Sequence, residues 1–187
     1  MLRRTLLVST VATTVMGSLM SDDANAQVED PENTLFMDLK DGRVVIKLRP
    51  DLAPKAVARV KELTREGFYN GTVFHRVIEG FMAQGGDPTG TGTGGSSKPN
   101  LPAEFSKTAH FLRGTVGSAR TGDPNSANSQ FYIMFAPAPH LDGQYTIWGQ
   151  VVSGMELIDK IKRGSGGGGT VQNPDKIIKL QVAADAK

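Results

Sequence analysis

The sequence contains no cysteine, which excludes disulfide bonds and thiol catalysis. Aromatic residues make up only 6% of it and the formal net charge is only +2, so no basic surface predicts nucleic-acid binding. Lysines and glutamates are interspersed rather than grouped, which is typical of a solvated surface. The packing of a single core must therefore stabilise the fold, and 187 residues are enough to build one.

The amino terminus has the pattern of a signal peptide. Arg3 and Arg4 precede an uncharged, mostly apolar run from Thr5 to Met20, and Ala24-Asn25-Ala26 follows as an A-x-A cleavage site. The run is short for a membrane anchor and lacks a basic stop-transfer flank. We expect residues 1–26 to be a signal peptide of a periplasmic protein, with secretion as the alternative and no membrane association after cleavage. The paired arginines leave Sec and twin-arginine export both open.

The mature sequence predicts one domain without internal repeats. Residues 27–33 are polar and are expected to form a flexible leader, residues 34–183 the domain, and residues 184–187 a short tail. The 22 glycines and 10 prolines of the chain divide it into short runs, as in a strand-rich fold.

Short apolar runs between turn residues predict an antiparallel sheet. A hairpin is expected around Asp41-Gly42, with Val44, Ile46 and Leu48 on its buried face. No helical patterns separate the later runs, so βαβ units are disfavoured, and so many short strands would best hide their edges in a barrel. The other predicted strands lie in TVFHRVI (72–78), GTVGSA (114–119), SQFYIMF (129–135), YTIWGQVV (145–152) and KIIKLQV (176–182).

Two helices are predicted. One begins at Pro54 and ends near Gly67, and the other lies between Gly154 and Gly164. In both, apolar residues recur every three or four positions and therefore share one face. The side chains expected to face the core are Val57, Val60 and Leu63 in the first helix, Met155, Ile158 and Ile161 in the second, and Ile178, Leu180 and Val182 in the closing strand.

The segment GTGTGG (90–95) satisfies the G-x-G-x-x-G dinucleotide pattern but lacks its structural context. That pattern binds a pyrophosphate between a strand and the start of a helix. Here the segment follows Asp87-Pro88, and Pro99 and Pro102 oppose a helix after it. A glycine-rich loop over a strand end is therefore favoured over a nucleotide site.

Other catalytic groups are scattered along the chain. The three histidines lack metal-ligand spacing, and no serine lies in a G-x-S-x-G motif. Glu104 and Asp142 are expected at the surface and in a turn rather than as a catalytic pair. His75 should point to the face of its strand opposite to Arg76 and be a packed structural residue. The other two histidines are His110 and His140.

Three segments remain to be explained: FHRVIEGFMAQGGDPTGTGTGG (74–95), GTVGSARTGDPNSANSQFYI (114–133) and HLDGQYTIWGQVVSGMELIDKI (140–161). In this order they resemble the cyclophilin family of peptidyl-prolyl cis-trans isomerases, and the resemblance extends from about Thr34 to Val182. It implies a mostly β fold, a closed eight-stranded antiparallel β-barrel capped by two α-helices. It also implies an enzyme that needs no cofactor or metal and acts on proline-containing polypeptides in unfolded or extended segments. We expect it to be a monomer.

The resemblance assigns roles to individual residues, with Arg76 as the catalytic one. The substrate-binding residues are Phe81, Met82, Tyr132 and Leu141 in the walls of a proline pocket, Gln84 and Gln130 on its polar floor, Arg120, Thr121 and Gly122 in a strip that pairs with the substrate backbone, and His140 and Tyr145 at the rim. Well-known eukaryotic members carry tryptophan in place of His140 and histidine in place of Tyr145. Because the indole donor is missing at His140, the sequence leaves cyclosporin sensitivity open. Phe131 is left open between core and pocket floor.

These residue types suit an isomerase that forms no covalent intermediate. Resonance in an X-Pro amide opposes rotation by about 18–20 kcal/mol, and rotation makes or breaks no bond, so a nucleophile or general base has no task. The guanidinium of Arg76 stays charged and can donate to the twisted amide. We therefore predict an enzyme that accelerates isomerisation of X-Pro bonds and assists the folding of exported proteins. The alternative is a chaperone module that binds proline peptides with little turnover.

Overall fold

The computed structural model describes residues 28–186, so the predicted signal peptide lies outside the described residues. Within them the fold is mostly β, with eight strands and two α-helices. The strands are β1 (Thr34–Leu39), β2 (Gly42–Leu48), β3 (Arg76–Ile78), β4 (Met82–Gly85), β5 (Thr115–Ser118), β6 (Phe131–Met134), β7 (Ile147–Ser153) and β8 (Lys179–Val182). The helices are α1 (Pro54–Arg65) and α2 (Met155–Ile158), and 3-10 turns lie at Pro31–Asn33, Pro139–Leu141 and Ala183–Asp185.

All eight strands form one antiparallel sheet in the order β3-β4-β6-β5-β7-β2-β1-β8, which confirms the predicted sheet type. β3 and β8 lie at its two ends, and no ladder joins them within residues 28–186. The segments that precede these two strands are nevertheless in contact. The Gly71 amide donates to the Ile177 carbonyl at 2.7 Å, and the Phe74 amide donates to the Asp175 carbonyl at 2.9 Å.

Seven strands coincide with the predicted runs, with β7 extending one residue further to Ser153, whereas β4 was not predicted. β4 forms a hairpin with β3 across Gly80, which has a positive φ of 68°. A four-residue strand that ends at Gly85 and is followed by Gly86 carries too few alternating side chains for periodicity to predict it.

The main core lies on one face of the sheet. Val44, Ile46 and Leu48 of β2 are buried in it, as the alternation predicted. Phe131 also belongs to this core, where its ring packs edge to face with Trp148 at a centroid distance of 5.9 Å. Phe131 is therefore a core residue and not part of the pocket floor.

The closing strand differs in part from its prediction. Leu180 and Val182 of β8 are buried as expected, but Ile178 is 51% exposed and Ile177 takes its place in the core. The physical reason is a bend at Ile178, whose amide donates to the Asp38 carbonyl at 2.8 Å before the regular strand begins. The predicted inward position of Ile178 is therefore wrong.

The helix α1 begins and ends as predicted. Pro54 is its first residue, and Gly67 follows its carboxyl end with a positive φ of 71°. There the Gly67 amide donates to the Thr64 carbonyl and the Phe68 amide donates to the Leu63 carbonyl, both at 3.0 Å. This pair of hydrogen bonds is a Schellman motif, which requires the left-handed conformation that glycine adopts at low cost.

Glu104 binds the amino terminus of α1 from a distant loop. Its two carboxylate oxygens accept hydrogen bonds from the amides of Lys55 at 3.0 Å and Ala56 at 2.9 Å. These amides have no partner within the helix, and a carboxylate there also interacts favourably with the helix dipole. Glu104 is thus a helix-capping residue rather than a plain surface residue.

The second helix is shorter than predicted. α2 ends at Ile158, and the chain continues in tighter turns in which the Lys160 and Ile161 amides each donate to a carbonyl three residues earlier. Such turns still place residues three apart on the same side. Ile158 and Ile161 are therefore both buried, as predicted, although the chain between them and Gly164 is not helical.

Part of the predicted flexible leader lies against α1. The turn Pro31–Asn33 carries Glu32, whose carboxylate lies 2.6 Å from Nζ of Lys61 and 2.8 Å from Nη2 of Arg65. Arg65 also pairs with Asp185 near the carboxyl terminus at 2.8 Å. Both ends of the domain are therefore attached to one helix. In the part of the chain that the structure describes, no helix has the length and apolar character needed to cross a membrane.

Candidate active site

Strand register places Arg76, Gln84 and Tyr132 in one row across three neighbouring strands. Arg76 of β3 pairs with Gln84 of β4, which in turn pairs with Tyr132 of β6. The row continues to Gly117 of β5. Because side chains alternate along a strand, these residues lie on the face opposite to core residues such as Ala83. The sheet itself therefore brings the candidate catalytic arginine next to the predicted pocket.

An apolar cavity of about 210 Å³ adjoins this row. Met82, Tyr132 and Leu141 are buried in its walls, and Phe81 is partly buried. The lining residues are Arg76, Phe81, Met82, Gln84, Ala119, Arg120, Tyr132, Leu141 and Tyr145. Eight of these nine residues were predicted to belong to the site, and Ala119 was not.

The guanidinium of Arg76 is held at the edge of this cavity by two hydrogen bonds. Its Nε donates to the Gly168 carbonyl at 3.0 Å, and its Nη1 donates to Oε1 of Gln84 at 3.2 Å. Gly168 belongs to the glycine-rich loop 164–170, which lies beside β3. A guanidinium has five N–H donors, so three remain for a ligand in the cavity.

The polar floor is built from the two predicted glutamines. Nε2 of Gln84 donates to Oε1 of Gln130 at 2.9 Å. Nε2 of Gln130 donates in turn to the carbonyls of Gly92 at 3.0 Å and Gly94 at 2.8 Å. The glycine-rich loop that satisfied the dinucleotide pattern thus supports the floor of the site.

A larger and more polar cavity of about 530 Å³ lies beside the first. Gln84, Ala119 and Arg120 line both cavities. The second cavity is otherwise lined by Gly92, Thr93, Gly94, Gly95, Ser96, Asn100, Thr121, Ser126, Asn128 and Gln130. Most of these were not among the predicted site residues. The polar block NSANSQ (125–130), which leads directly into the predicted Gln130, is a sequence signal for Ser126 and Asn128 only.

The predicted backbone-pairing strip forms an exposed turn beside both cavities. Arg120 donates through Nη1 to the Thr121 carbonyl at 2.8 Å and through Nη2 to the Gln144 carbonyl at 3.0 Å. Its guanidinium carbon lies 4.3 Å from the centre of the Tyr145 ring, a cation–π contact that connects the strip to the predicted rim. Gly122 is exposed in the same turn and lines neither cavity.

His140 lies outside the cavity rather than in its wall. It is exposed, and its ring lies 5.8 Å from the Phe81 ring at an interplanar angle of 31°. The histidine therefore covers the outer side of Phe81, and it lines neither cavity.

The hydroxyl of Tyr132 is buried and has no hydrogen-bonding partner among residues 28–186. Burial, reinforced by nearby Tyr145, raises the pKa of Tyr132 above its ordinary value, so the phenol stays neutral. A Cβ atom on Gly117 would lie 2.9 Å from this hydroxyl, so glycine at that position leaves room for the tyrosine ring.

The histidines do not converge on this site. His75 is buried, as predicted, and burial lowers its pKa despite the opposing effect of Asp87. His110 lies elsewhere, with Nδ1 2.7 Å from Oδ2 of Asp142, whose Oδ1 accepts the Phe111 amide at 2.8 Å. Over residues 28–186, no three histidine, aspartate or glutamate side chains group in a way that would hold a metal ion.

Comparison with known proteins agrees with this geometry. Residues 34–182 match the family described as "Cyclophilin type peptidyl-prolyl cis-trans isomerase/CLD". A Brucella suis protein named "Probable peptidyl-prolyl cis-trans isomerase" is 59% identical over 174 residues, which cover 87% of this chain and 88% of that protein.

Solved structures give the same result at lower identity. The chain resembles a cyclophilin from Hirschia baltica with a TM-score of 0.75 at 27% identity, over 84% of this chain and 76% of that one. It also resembles a cyclophilin-type isomerase from Cryptosporidium parvum, whose crystal structure was determined in the presence of the dipeptide Ala-Pro. The TM-score is 0.73 at 28% identity, over 80% of this chain and 98% of that one.

Proposed function

The chain belongs to the cyclophilin-type peptidyl-prolyl cis-trans isomerase family, and we propose that it rotates X-Pro bonds in the cavity between Arg76, Phe81, Met82 and Leu141. The observation that carries this assignment is that the Arg76 side chain and these apolar side chains line the same cavity. The Cryptosporidium structure with Ala-Pro supports a proline ring as the occupant. The substrates are proline-containing polypeptides.

Arg76 acts by stabilising the twisted amide. When the X-Pro bond rotates, conjugation is lost and the nitrogen becomes a pyramidal amine with an exposed lone pair. A guanidinium N–H donates to that nitrogen or to the adjacent carbonyl region, and it stays charged at any working pH. The interaction is stronger in the twisted amide than in the planar one, which is the requirement for acceleration.

The apolar walls supply the remainder of the acceleration. Uncatalysed exchange takes about 10–100 s, so millisecond turnover requires about 5–7 kcal/mol. One charge-assisted hydrogen bond contributes only about 1.5–3 kcal/mol. Met82, Tyr132 and Leu141 hold the proline ring and exclude water from the amide, and water stabilises the polar planar form more than the twisted one.

We also propose that the sheet closes into a barrel next to the site. The hydrogen bonds between residues 71–74 and 175–177 support this closure, as does the isolated bridge between Arg76 and Thr170. Closure would fix β3, which would otherwise be a free edge strand, and would hold the candidate catalytic arginine in place.

Kinetics of Arg76→Ala test the catalytic assignment. We expect kcat/KM for a proline peptide to fall about 10- to 100-fold, the value of one charge-assisted hydrogen bond, while peptide affinity changes little. Arg49→Ala is the control, because Arg49 pairs with Asp51 at 2.7 Å and lines neither cavity of the site. An Arg76→Ala enzyme as fast as its parent would refute the role. A wild-type protein that binds the peptide without accelerating exchange would favour the chaperone alternative.

The cellular role that we propose is assistance to the folding of exported proteins in the periplasm. The support is the signal-peptide pattern of residues 1–26. Expression of the full chain in a Gram-negative host should place the protein in the periplasmic fraction, with a mass that begins at Gln27. Full-length protein confined to the cytosol would contradict the proposal, and mature protein in the medium would favour secretion.

A further inference from the structure

Asp87, which directly follows β4 and Gly86, lies at the centre of the glycine-rich loop. It is fully buried, and its Oδ1 accepts both the amide and the hydroxyl of Thr89 at 2.8 Å. Its Oδ2 accepts the amides of Gly92 at 2.6 Å and Gly94 at 3.1 Å. Every one of these partners is a donor, so the loop is folded around a carboxylate.

The electrostatics agree with this geometry. Burial alone would raise the pKa of Asp87, but the hydrogen bonds from Thr89, Gly94 and Gly92 outweigh it and hold the pKa at about 2. The carboxylate is therefore ionised at neutral pH, and it can accept all of these hydrogen bonds at once.

The loop also fixes the orientation of the Gln130 side chain in the floor of the site. Gly92 and Gly94, whose amides are bound by Asp87, both present their carbonyls to Nε2 of Gln130 at 3.0 Å and 2.8 Å. If the Gln130 amide were flipped, its oxygen would face two carbonyl oxygens. The loop therefore fixes which end of this amide points towards Gln84.

The orientation of the Gln130 amide fixes that of the Gln84 amide in turn. Because Oε1 of Gln130 faces Gln84, the NH2 group of Gln84 must point to it, and it does so at 2.9 Å. Oε1 of Gln84 is thereby turned towards Arg76, whose Nη1 donates to it at 3.2 Å. A flipped Gln84 would present its NH2 group to a guanidinium that can only donate.

We propose that Asp87 is a positioning residue for Arg76 and acts through the Gly92–Gly94 loop, Gln130 and Gln84. The proposal rests on the catalytic role proposed above for Arg76. It gives the glycine-rich segment a role in catalysis that does not involve a nucleotide. Since Gln84 and Gln130 also line the larger cavity, a substrate segment bound there contacts the same relay.

Asp87→Asn is the decisive variant, because it preserves shape but introduces an NH2 group where every partner is a donor. We expect kcat to fall about 10- to 100-fold, as for a small misplacement of a catalytic group, and KM to change less than kcat, since Gln84 and Gln130 also contact the substrate. In an Arg76→Ala background the same substitution should cause no further loss. Asp41→Asn, in the exposed β1–β2 turn, is the matched control and should retain the parental kcat.

Failure of the Asp87 proposal can be distinguished from failure of the proposed function. An Asp87→Asn enzyme with parental kcat overturns the proposal, and so does an equal loss in the wild-type and Arg76→Ala backgrounds, because Asp87 would then act independently of the arginine. If Arg76→Ala itself retains parental turnover, the failure lies in the proposed function.

An NMR spectrum of the Arg76 Nε–Hε group provides a readout that a purely structural role would not change. In the wild type we expect a resolved signal from a held guanidinium, which shifts or broadens in folded Asp87→Asn. If Asp87→Asn does not fold, Thr89→Val replaces it, since Thr89 is exposed and its hydroxyl donates to Oδ1 of Asp87 at 2.8 Å. A decrease in kcat for Thr89→Val would support the proposal, and an unchanged kcat with an unchanged Arg76 signal would overturn it.

Discussion

Arginine pairing distinguishes the site from the rest of the surface. Residues 28–186 contain eight arginines, and six of them lie within 4.0 Å of a carboxylate: Arg43, Arg49, Arg59, Arg65, Arg113 and Arg163. The other two, Arg76 and Arg120, form no such pair within these residues, and both line the apolar cavity. Neither arginine has its charge neutralised by a carboxylate, and Arg76 keeps three N–H donors for a substrate, which suits the rotation of a neutral amide.

Tyr132→Phe tests the unpartnered hydroxyl at the residue scale. A buried hydroxyl without a partner costs about 1–3 kcal/mol, so we expect the phenylalanine variant to be more stable than the parent by about 1 kcal/mol. Tyr69→Phe is the matched control, because its buried hydroxyl donates to the Ser129 carbonyl at 3.1 Å, and its loss should destabilise by about 1 kcal/mol. Urea unfolding of both variants measures the difference, and a loss of stability in Tyr132→Phe would contradict the expectation.

At the scale of elements, the glycine-rich loop 164–170 is the outer support of Arg76. The Val77 amide donates to the Gly169 carbonyl at 2.7 Å, and the Gly164 amide donates to the Val77 carbonyl at 2.9 Å. These bonds place the loop beside β3, so that the Gly168 carbonyl accepts Nε of Arg76. The loop and the Gln84 side chain therefore hold the guanidinium from two directions.

Substitutions in this loop should affect catalysis selectively. Gly169 has a positive φ of 71°, and a Cβ there would clash with Ile78 and lie 3.0 Å from the Val77 carbonyl oxygen. Gly169→Ala should therefore displace the loop and lower kcat about tenfold or more. Gly167→Ala is the control, because its Cβ would have no neighbour within 4 Å. Steady-state kinetics that show equal losses in both variants would rule out a positioning role for the loop.

Secondary structure was predictable where local rules decide it. The ends of α1 follow from Pro54 and Gly67, because both act within a single turn of helix. The length of α2 and the bend at Ile178 did not follow from the sequence pattern. Both depend on tertiary contacts with the sheet, such as the hydrogen bond from the Ile178 amide to the Asp38 carbonyl. The spacing of apolar residues along the chain does not predict such contacts.

At the scale of the whole molecule, several carboxylates are more acidic than usual. Hydrogen bonds from Arg65 and Lys61 lower the pKa of Glu32 from 4.5 to about 2, and the pKa of Asp87 falls from 3.8 to about 2. Because these pKa values are lower in the folded state than in the unfolded state, the groups contribute stability above about pH 4.5. That contribution is lost as the pH falls towards 2.

Urea midpoints measured from pH 7 to pH 2 test this expectation. The wild type should begin to lose stability below about pH 6.5, because burial lowers the pKa of His75 in the folded state, and should lose it steeply below about pH 4.5. Asp87→Asn should start with a lower midpoint and lose less between pH 4 and pH 2, because one of the groups that titrate is gone. A wild-type midpoint that stays constant down to pH 2 would contradict the expectation.

The candidate site was predictable to different extents in its two parts. The resemblance to the cyclophilin family assigned most residues of the apolar cavity, but only Arg76, Phe81, Met82 and Gln84 are close in sequence and brought together by one hairpin. The larger cavity depends on loops that meet only in the folded chain, such as those that carry Ser96 and Asn128, whose Oδ1 accepts the Ser96 amide at 2.8 Å. The polar block 125–130 indicates Asn128 as a candidate, but nothing in the sequence indicates that Ser96 lies against it.

The most direct test is the cis-trans exchange rate of a proline peptide while it is bound, measured by NMR at saturating enzyme. Comparison of wild type with Arg76→Ala separates rotation from binding, because nearly all the peptide is bound in both samples. We predict exchange at least about tenfold slower in the variant, at nearly unchanged affinity. Bound-state exchange at the same rate in both proteins would contradict it.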